Sequence, residues 1–334
     1  MRPTPAASLL LMLPAALLAA GCARQPGESV AATADGPLGV VATTGMVADL
    51  VREVGGDAVE VTQIMGAGVD PHLYKATRDD VQTILDADAV FYSGLMLEGK
   101  MADTLVKVGR SRPVYAVTEL IDESKLLEPD DAAGHPDPHV WMDVGAWSAC
   151  VDAVAEALSE LRPDRAEAFA KRADAYAARL AELDQYVRRV VASVPAERRV
   201  LVTSHDAFNY FGRAYEIEVL GVQGLSTESE AGLRRVNELV SLLVTREAPA
   251  VFVESSVSPK NIQALVDGAA SRGHAVKIGG ELFSDAMGAA GTYEGTYVGM
   301  IDHNATTVAR ALGGDAPPGG MSGALAGAEE EAAR

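Results

Sequence analysis

This 334-residue sequence has few cysteines, too few basic side chains to balance its acidic ones, and no apolar run that suits a mature membrane span. Lys and Arg total 28 against 47 Asp and Glu, a formal net charge of −19. Nucleic acid is excluded as a partner on that balance, since binding phosphate needs basic patches. The apolar run from Leu9 to Ala20 is too short to span a bilayer as a mature helix. There is no His-Glu-x-x-His helix, no Gly-x-Ser-x-Gly elbow and no phosphate-cradling glycine-rich loop. Those absences argue against the alternative of a zinc-dependent hydrolase.

What is present begins with a leader. Arg2 gives a short positive region, and Leu18-Ala-Ala-Gly-Cys22 closes the apolar run as a bacterial lipoprotein signal does, with Ala19 where leucine is usual. Residues 1–22 therefore read as a lipoprotein signal peptide ending at the lipidated Cys22, and residues 23–37 as a flexible tether. With Cys22 acylated, Cys150 stands alone and no disulfide can form within the chain. Its helical spacing with Val154, Leu158 and Leu161 makes Cys150 a buried apolar residue.

Between tether and tail the pattern alternates strands and helices in two blocks, 38–144 and 196–312, which implies an α/β fold of two mostly parallel lobes. The intervening region, 145–195, is helical. In its second part Phe169, Ala173, Tyr176, Leu180, Leu183, Val187 and Val190 form one apolar seam, which predicts a single long, rigid helix joining the lobes. Residues 313–334 have little to bury and are expected to be disordered.

The candidate chemistry lies in four recurring contexts: Val69-Asp-Pro-His72, Asp137-Pro-His-Val-Trp-Met-Asp143, Thr203-Ser-His205-Asp206 and Phe283-Ser-Asp285. Three imidazoles and a carboxylate make a plausible nitrogen/oxygen site for a divalent transition metal. His72 and His139 fall in the first half and His205 and Asp285 in the second, so a shared ion would sit in the cleft between lobes. Asp143, Asp206, Glu254 and Glu281 are candidates to support the ligands, although Asp143 and Asp206 are equally suited to capping helices. His135 is a possible weak loop site, whereas His274 and His303 read as ordinary surface or packing residues.

Over the stretches Asp70–Thr77, Gly94–Glu98, Asp137–Asp143, Thr203–Phe208, Phe252–Ser256 and Gly279–Gly288 the chain resembles the zinc/manganese substrate-binding lipoproteins of bacterial ABC importers, the TroA-like metal receptors. The resemblance implies two α/β lobes joined by a rigid helix, with metal ligands at His72, His139, His205 and Asp285. It also implies a high-affinity receptor, not an enzyme, that delivers zinc or manganese to an ABC permease and its ATPase. Such a protein is expected to be monomeric and lipid-anchored on the extracytoplasmic side, in the periplasm or on the outer face of the plasma membrane. A metal-containing surface adhesin is the alternative within the resemblance. Two departures bear on the metal. Manganese-type members resembling streptococcal surface antigens usually have glutamate where His205 stands, and the long His/Asp-rich loop of many zinc-type members is reduced here to Glu128–Pro138. Three imidazoles favour Zn²⁺, with Mn²⁺ possible.

Overall fold

The computed structural model describes residues 36–129 and 134–325. The expected signal peptide with Cys22, most of the expected tether and residues 326–334 lie outside the described residues. Within the described residues no helix is long and apolar enough to cross a membrane.

The first lobe is a parallel sheet of β1 (Leu38–Ala42), β2 (Val59–Gln63), β3 (Ala89–Tyr92) and β4 (Val114–Ala116) in the order β2-β1-β3-β4. Val40 pairs with Val61 on one side and Ala89 on the other. β1 and β3 read as unbroken apolar runs because strands covered on both faces have no solvent side to alternate towards. Helix α1 (Gly45–Gly55) starts at Thr44, whose hydroxyl accepts from the Val47 amide; α2 (Arg78–Asp86) starts at a reciprocal Thr77/Asp80 capping box. A third helix, α3 (Ala102–Val108), was not anticipated, because its seven residues are too few to show a period. Val41, Ile84, Val90, Met101, Leu105 and Val108 form the core beneath these elements.

Two helices lead out of this lobe. α4 (Val144–Leu161) is capped by Asp143, and α5 (Ala166–Ala192) follows a tight turn that opens at Pro163. Every residue of the predicted α5 seam is buried. At 1.5 Å per residue its 27 residues extend about 40 Å. Its first half holds the first lobe: Arg172 and Arg179 bond Glu53, and Tyr176 bonds Asp49. Its second half holds the other lobe, through Tyr186 to Thr306 and Arg188 to the Ala214 carbonyl.

The second lobe has parallel pairs β5 (Val200–Thr203) with β6 (Glu218–Gly221) and β7 (Ala250–Glu254) with β8 (Lys277–Leu282), and β5 lies beside β7. Around them lie α6 (Asn209–Tyr215), α7 (Leu233–Thr245), α8 (Lys260–Ser271) and α9 (Tyr297–Ala311). The architecture is thus the expected pair of α/β lobes with a long connecting helix. β8 runs beyond the β-prone stretch Ala275–Ile278, through Gly279-Gly280 to Leu282. A Cβ on Gly279 would come within 2.8 Å of Ala311 and Phe252, so the glycine lets β8 pass close under α9.

Residues 313–325 correct an expectation. They are packed, not disordered: the Met321 amide donates to the Asp302 carboxylate at 2.9 Å, the Asp315 amide donates to Ser193 Oγ at 2.7 Å, and Leu325 is buried. The apolar content of this stretch is low, and polar anchors on α9 and at the end of α5 hold it instead.

Candidate metal centre

Four side chains from separated parts of the chain converge between the lobes. His72 is carried on the irregular stretch between β2 and α2. His139 lies in the turn before α4, His205 just after β5 and Asp285 just after β8. All four sit beyond the C-terminal ends of strands or at the entry to a helix, where parallel α/β architecture places ligands. One donor atom from each lies within 4.8 Å of all the others. His72 is 7 % exposed, Asp285 2 %, and His139 and His205 are fully buried.

The donor atoms face one another, and three of them lack a hydrogen bond that would account for it. Nε2 of His72 lies 3.3 Å from Nε2 of His139, and Nε2 of His205 lies 3.2 Å from Oδ2 of Asp285. Nε2 of His205 and both carboxylate oxygens of Asp285 are buried and make no good hydrogen bond among the described residues. Buried polar atoms are costly without a partner, and a divalent cation is one partner that all four groups would share. The donor set fits such an ion: three nitrogens and a carboxylate suit zinc and other borderline divalent metals.

Two of the imidazoles are oriented by carboxylates. Nδ1 of His139 donates to Asp137 Oδ1 at 2.6 Å, and Nδ1 of His205 donates to Glu254 Oε2 at 2.6 Å. The same carboxylates also accept the backbone amides of His139 and His205. An ionised carboxylate is only an acceptor, so each Nδ1 carries a proton and each Nε2 is aimed inwards, where it can bind a metal once it carries none. His72 has its backbone amide on Asp70 Oδ1 at 2.8 Å, and its ring faces a carboxylate at Nε2, 3.8 Å from Asp285 Oδ2, with no carboxylate hydrogen-bonded at Nδ1 among the described residues.

Burial dominates at His72 and pulls its pKa down to about 4. At His205 burial also opposes charge, but Glu254 and Asp285 outweigh it and raise the pKa well above the usual histidine range. Burial opposes ionisation of Asp285 too, yet the surrounding histidines, His205 first, hold its carboxyl well below the usual range. The turn at His205 also depends on Gly221, where a Cβ would come within 2.6 Å of Asp206 and of the His205 carbonyl carbon.

Of the four supporting carboxylates expected from sequence, Glu254 is the one that bonds the ring of His205. Asp143 caps α4 through the Ala146 amide and pairs with Arg213. Asp206 accepts the Gly221 amide at 2.7 Å. Glu281 is exposed on β8, and its carbonyl accepts from His303. Sequence reasoning missed Asp137 in this role, although it stands two residues before His139, the same spacing as Asp70 before His72. His135 is exposed and lines the cavity of about 630 Å³ at the mouth of the site; His274 bonds the Ala248 carbonyl.

The hydrogen bonds do not divide the four candidate ligands two and two between the lobes, as their sequence positions suggested. Asp137 accepts from Asn209 and Tyr210 of α6, Trp141 donates to the Ser284 carbonyl, and Tyr297 of α9 donates to the Trp141 carbonyl. His139 is therefore fastened to the second lobe with His205 and Asp285, and His72 alone is presented from the first. The segment precedes α4 in sequence, but its polar groups are satisfied on the far side of the cleft.

Residues 40–311 match the family described as ZnuA, zinc-uptake complex component A periplasmic. The manganese-binding lipoprotein MntA of Bacillus subtilis (strain 168) is 50 % identical over 285 residues, covering 85 % of this chain and 93 % of that protein. The zinc-binding protein TroA of Treponema pallidum (strain Nichols) is 52 % identical over 281 residues, covering 84 % of this chain and 91 % of its own. The solved structure of the T. pallidum periplasmic zinc-binding protein superposes with a TM-score of 0.81 at 51 % identity, over 83 % of this chain and 99 % of that one.

Proposed function

This chain belongs to the zinc-uptake complex component A periplasmic family, and from that membership we propose that His72, His139, His205 and Asp285 are the ligands of the ion it carries. The protein is a metal receptor of an ABC importer, partnered with a permease and its ATPase. The observation that carries the ligand assignment is the convergence of four buried donors, three of whose atoms make no hydrogen bond. The ion is cargo: held by a set that draws on both lobes, it is shielded from water until it is handed on.

The two relatives of nearly equal identity bear the names of different metals, zinc and manganese, so overall similarity does not choose between them. The donor set does. Intrinsic affinity at nitrogen-rich sites runs from Mn²⁺ upward to Zn²⁺, so zinc is the favoured cargo and manganese the alternative. A hydrolytic reading has less support, because it needs an open ligand position and an available base. The carboxylates beside the histidines, Asp137 and Glu254, are engaged with imidazole N–H groups. Cys22 is the proposed acylated residue, which would hold a monomeric receptor on the extracytoplasmic membrane surface; one close relative carries the name lipoprotein.

Competitive calorimetry on the chain from Ala23, with Zn²⁺ and Mn²⁺ and with His205→Glu alongside, tests the reading. One tight zinc site, much weaker manganese binding, and a shift towards manganese in His205→Glu are expected. No tight site for either metal would overturn the assignment.

A further inference from the structure

The three-and-one division of the ligands has a consequence for how the ion enters and leaves. His139, His205 and Asp285 share one hydrogen-bonded frame, so a local movement of the His72 segment leaves them together and withdraws His72. His72 also faces the cavity of about 630 Å³ that opens to solvent, together with Leu95, Met96, Lys100, Ser226 and Glu228. Its own segment is fixed at the far end within the first lobe, where Tyr74 and Thr77 both bond Asp80 at the start of α2. Two contacts tie this side of the cleft to the loop between β6 and α7 of the second lobe. Thr227 Oγ1 donates a short hydrogen bond to Asp70 Oδ2, on the carboxylate whose other oxygen accepts the His72 amide. Next to it, Lys100 Nζ pairs with Glu228 Oε1 at 2.7 Å.

We propose that Thr227 is a positioning residue for metal release: through Asp70 it latches the His72 segment to the second lobe, and its hydrogen bond governs how often His72 swings away from the ion. Lys100 and Glu228 form the outer, weaker part of the same latch. The chemistry supports this ranking. The Thr227–Asp70 bond is partly buried and runs to a carboxylate, and hydrogen bonds to charged groups are the stronger kind. The Lys100–Glu228 pair is solvent-exposed, 30 % and 52 % at the two side chains, where ion pairs contribute little. The proposal rests on the receptor reading and adds the route by which the site opens.

The test is the rate at which a chelator strips Co²⁺ from the loaded chain, read by stopped flow, with the Co²⁺ absorption spectrum recorded beforehand. Thr227→Val is expected to release the ion about tenfold faster with the spectrum unchanged, because no ligand is touched. Thr227→Ser keeps the hydroxyl and is expected to release at the rate of the unaltered chain, and Glu228→Gln roughly twofold faster. Equal rates for the unaltered chain and Thr227→Val, or a serine variant as fast as the valine one, would overturn the latch while leaving the receptor reading intact. An unaltered chain with no tight metal site would overturn both.

Discussion

The three imidazoles of the site are unequal, and the difference lies at Nδ1. His139 and His205 each donate to a buried carboxylate, whereas His72 does not. A carboxylate at Nδ1 fixes the ring and makes Nε2 more basic, which favours metal binding but also favours a proton in the metal-free chain. His205 faces two carboxylates and keeps its proton well above the usual histidine range, while His72, at about 4, is neutral at physiological pH. On the proposed ligand assignment, zinc binding near neutral pH is expected to displace a proton from His205. Calorimetry in two buffers of different protonation enthalpy is expected to show about one proton released per ion, with apparent affinity rising by about tenfold per pH unit while His205 remains protonated. Glu254→Gln removes one of the carboxylates that hold this proton. It is expected to release less proton and to bind metal about 10–100-fold more weakly. Unchanged affinity in that variant would mean that Glu254 does not orient His205.

At the scale of elements, the junction of α1, α5 and α9 is closed by one carboxyl group. Asp49 of α1 accepts from Tyr176 of α5 at 3.2 Å and from the Tyr297 amide at the start of α9 at 3.1 Å. Burial is the main cause that raises its pKa from 3.8 to about 6. The folded chain thus holds this proton more tightly than the unfolded chain. The stability that results is complete below about pH 4 and is lost as pH rises through about 6. Asp49→Asn, which cannot ionise, is expected to escape that loss and to unfold at higher urea concentration than the unaltered chain at pH 7. The advantage is at most about 3 kcal/mol and is expected to shrink at pH 4. A difference between the two chains that does not vary with pH would show that Asp49 does not ionise in the folded protein.

For the whole molecule, the connecting helix limits how far the lobes can move. α5 is packed along one buried seam and bonded to both lobes, so binding is expected to change the cleft locally and not to swing the lobes through a wide hinge. Small-angle scattering of the metal-free and zinc-loaded chain is expected to give nearly the same radius of gyration. A large compaction would contradict the strut. Zinc in excess of its dissociation constant is expected to raise the melting temperature in the same samples, since a ligand that binds only the folded chain stabilises it.

The sequence by itself determined the two α/β blocks, the long α5 and the four donors. Each of these is written in local periodicity or in a short motif: the Phe169–Val190 seam is legible because a buried stripe must recur at helical spacing, and His72, His139, His205 and Asp285 each sit at a strand end or helix entry that the pattern marks. The short α3, the true span of β8 and the packing of residues 313–325 were not legible, because each depends on what lies opposite: too few residues to show a period, a glycine pressed under α9, and amides caught by Asp302 and Ser193. The tertiary structure alone decided that Asp137 and Glu254, not Asp143 or Glu281, back the histidines, since a carboxylate's partner is set by distance across the fold. It also decided that His139, which precedes α4 in the chain, is fastened to the second lobe. Covalent order places a residue along the chain, but the hydrogen bonds that satisfy its neighbours determine which body it moves with.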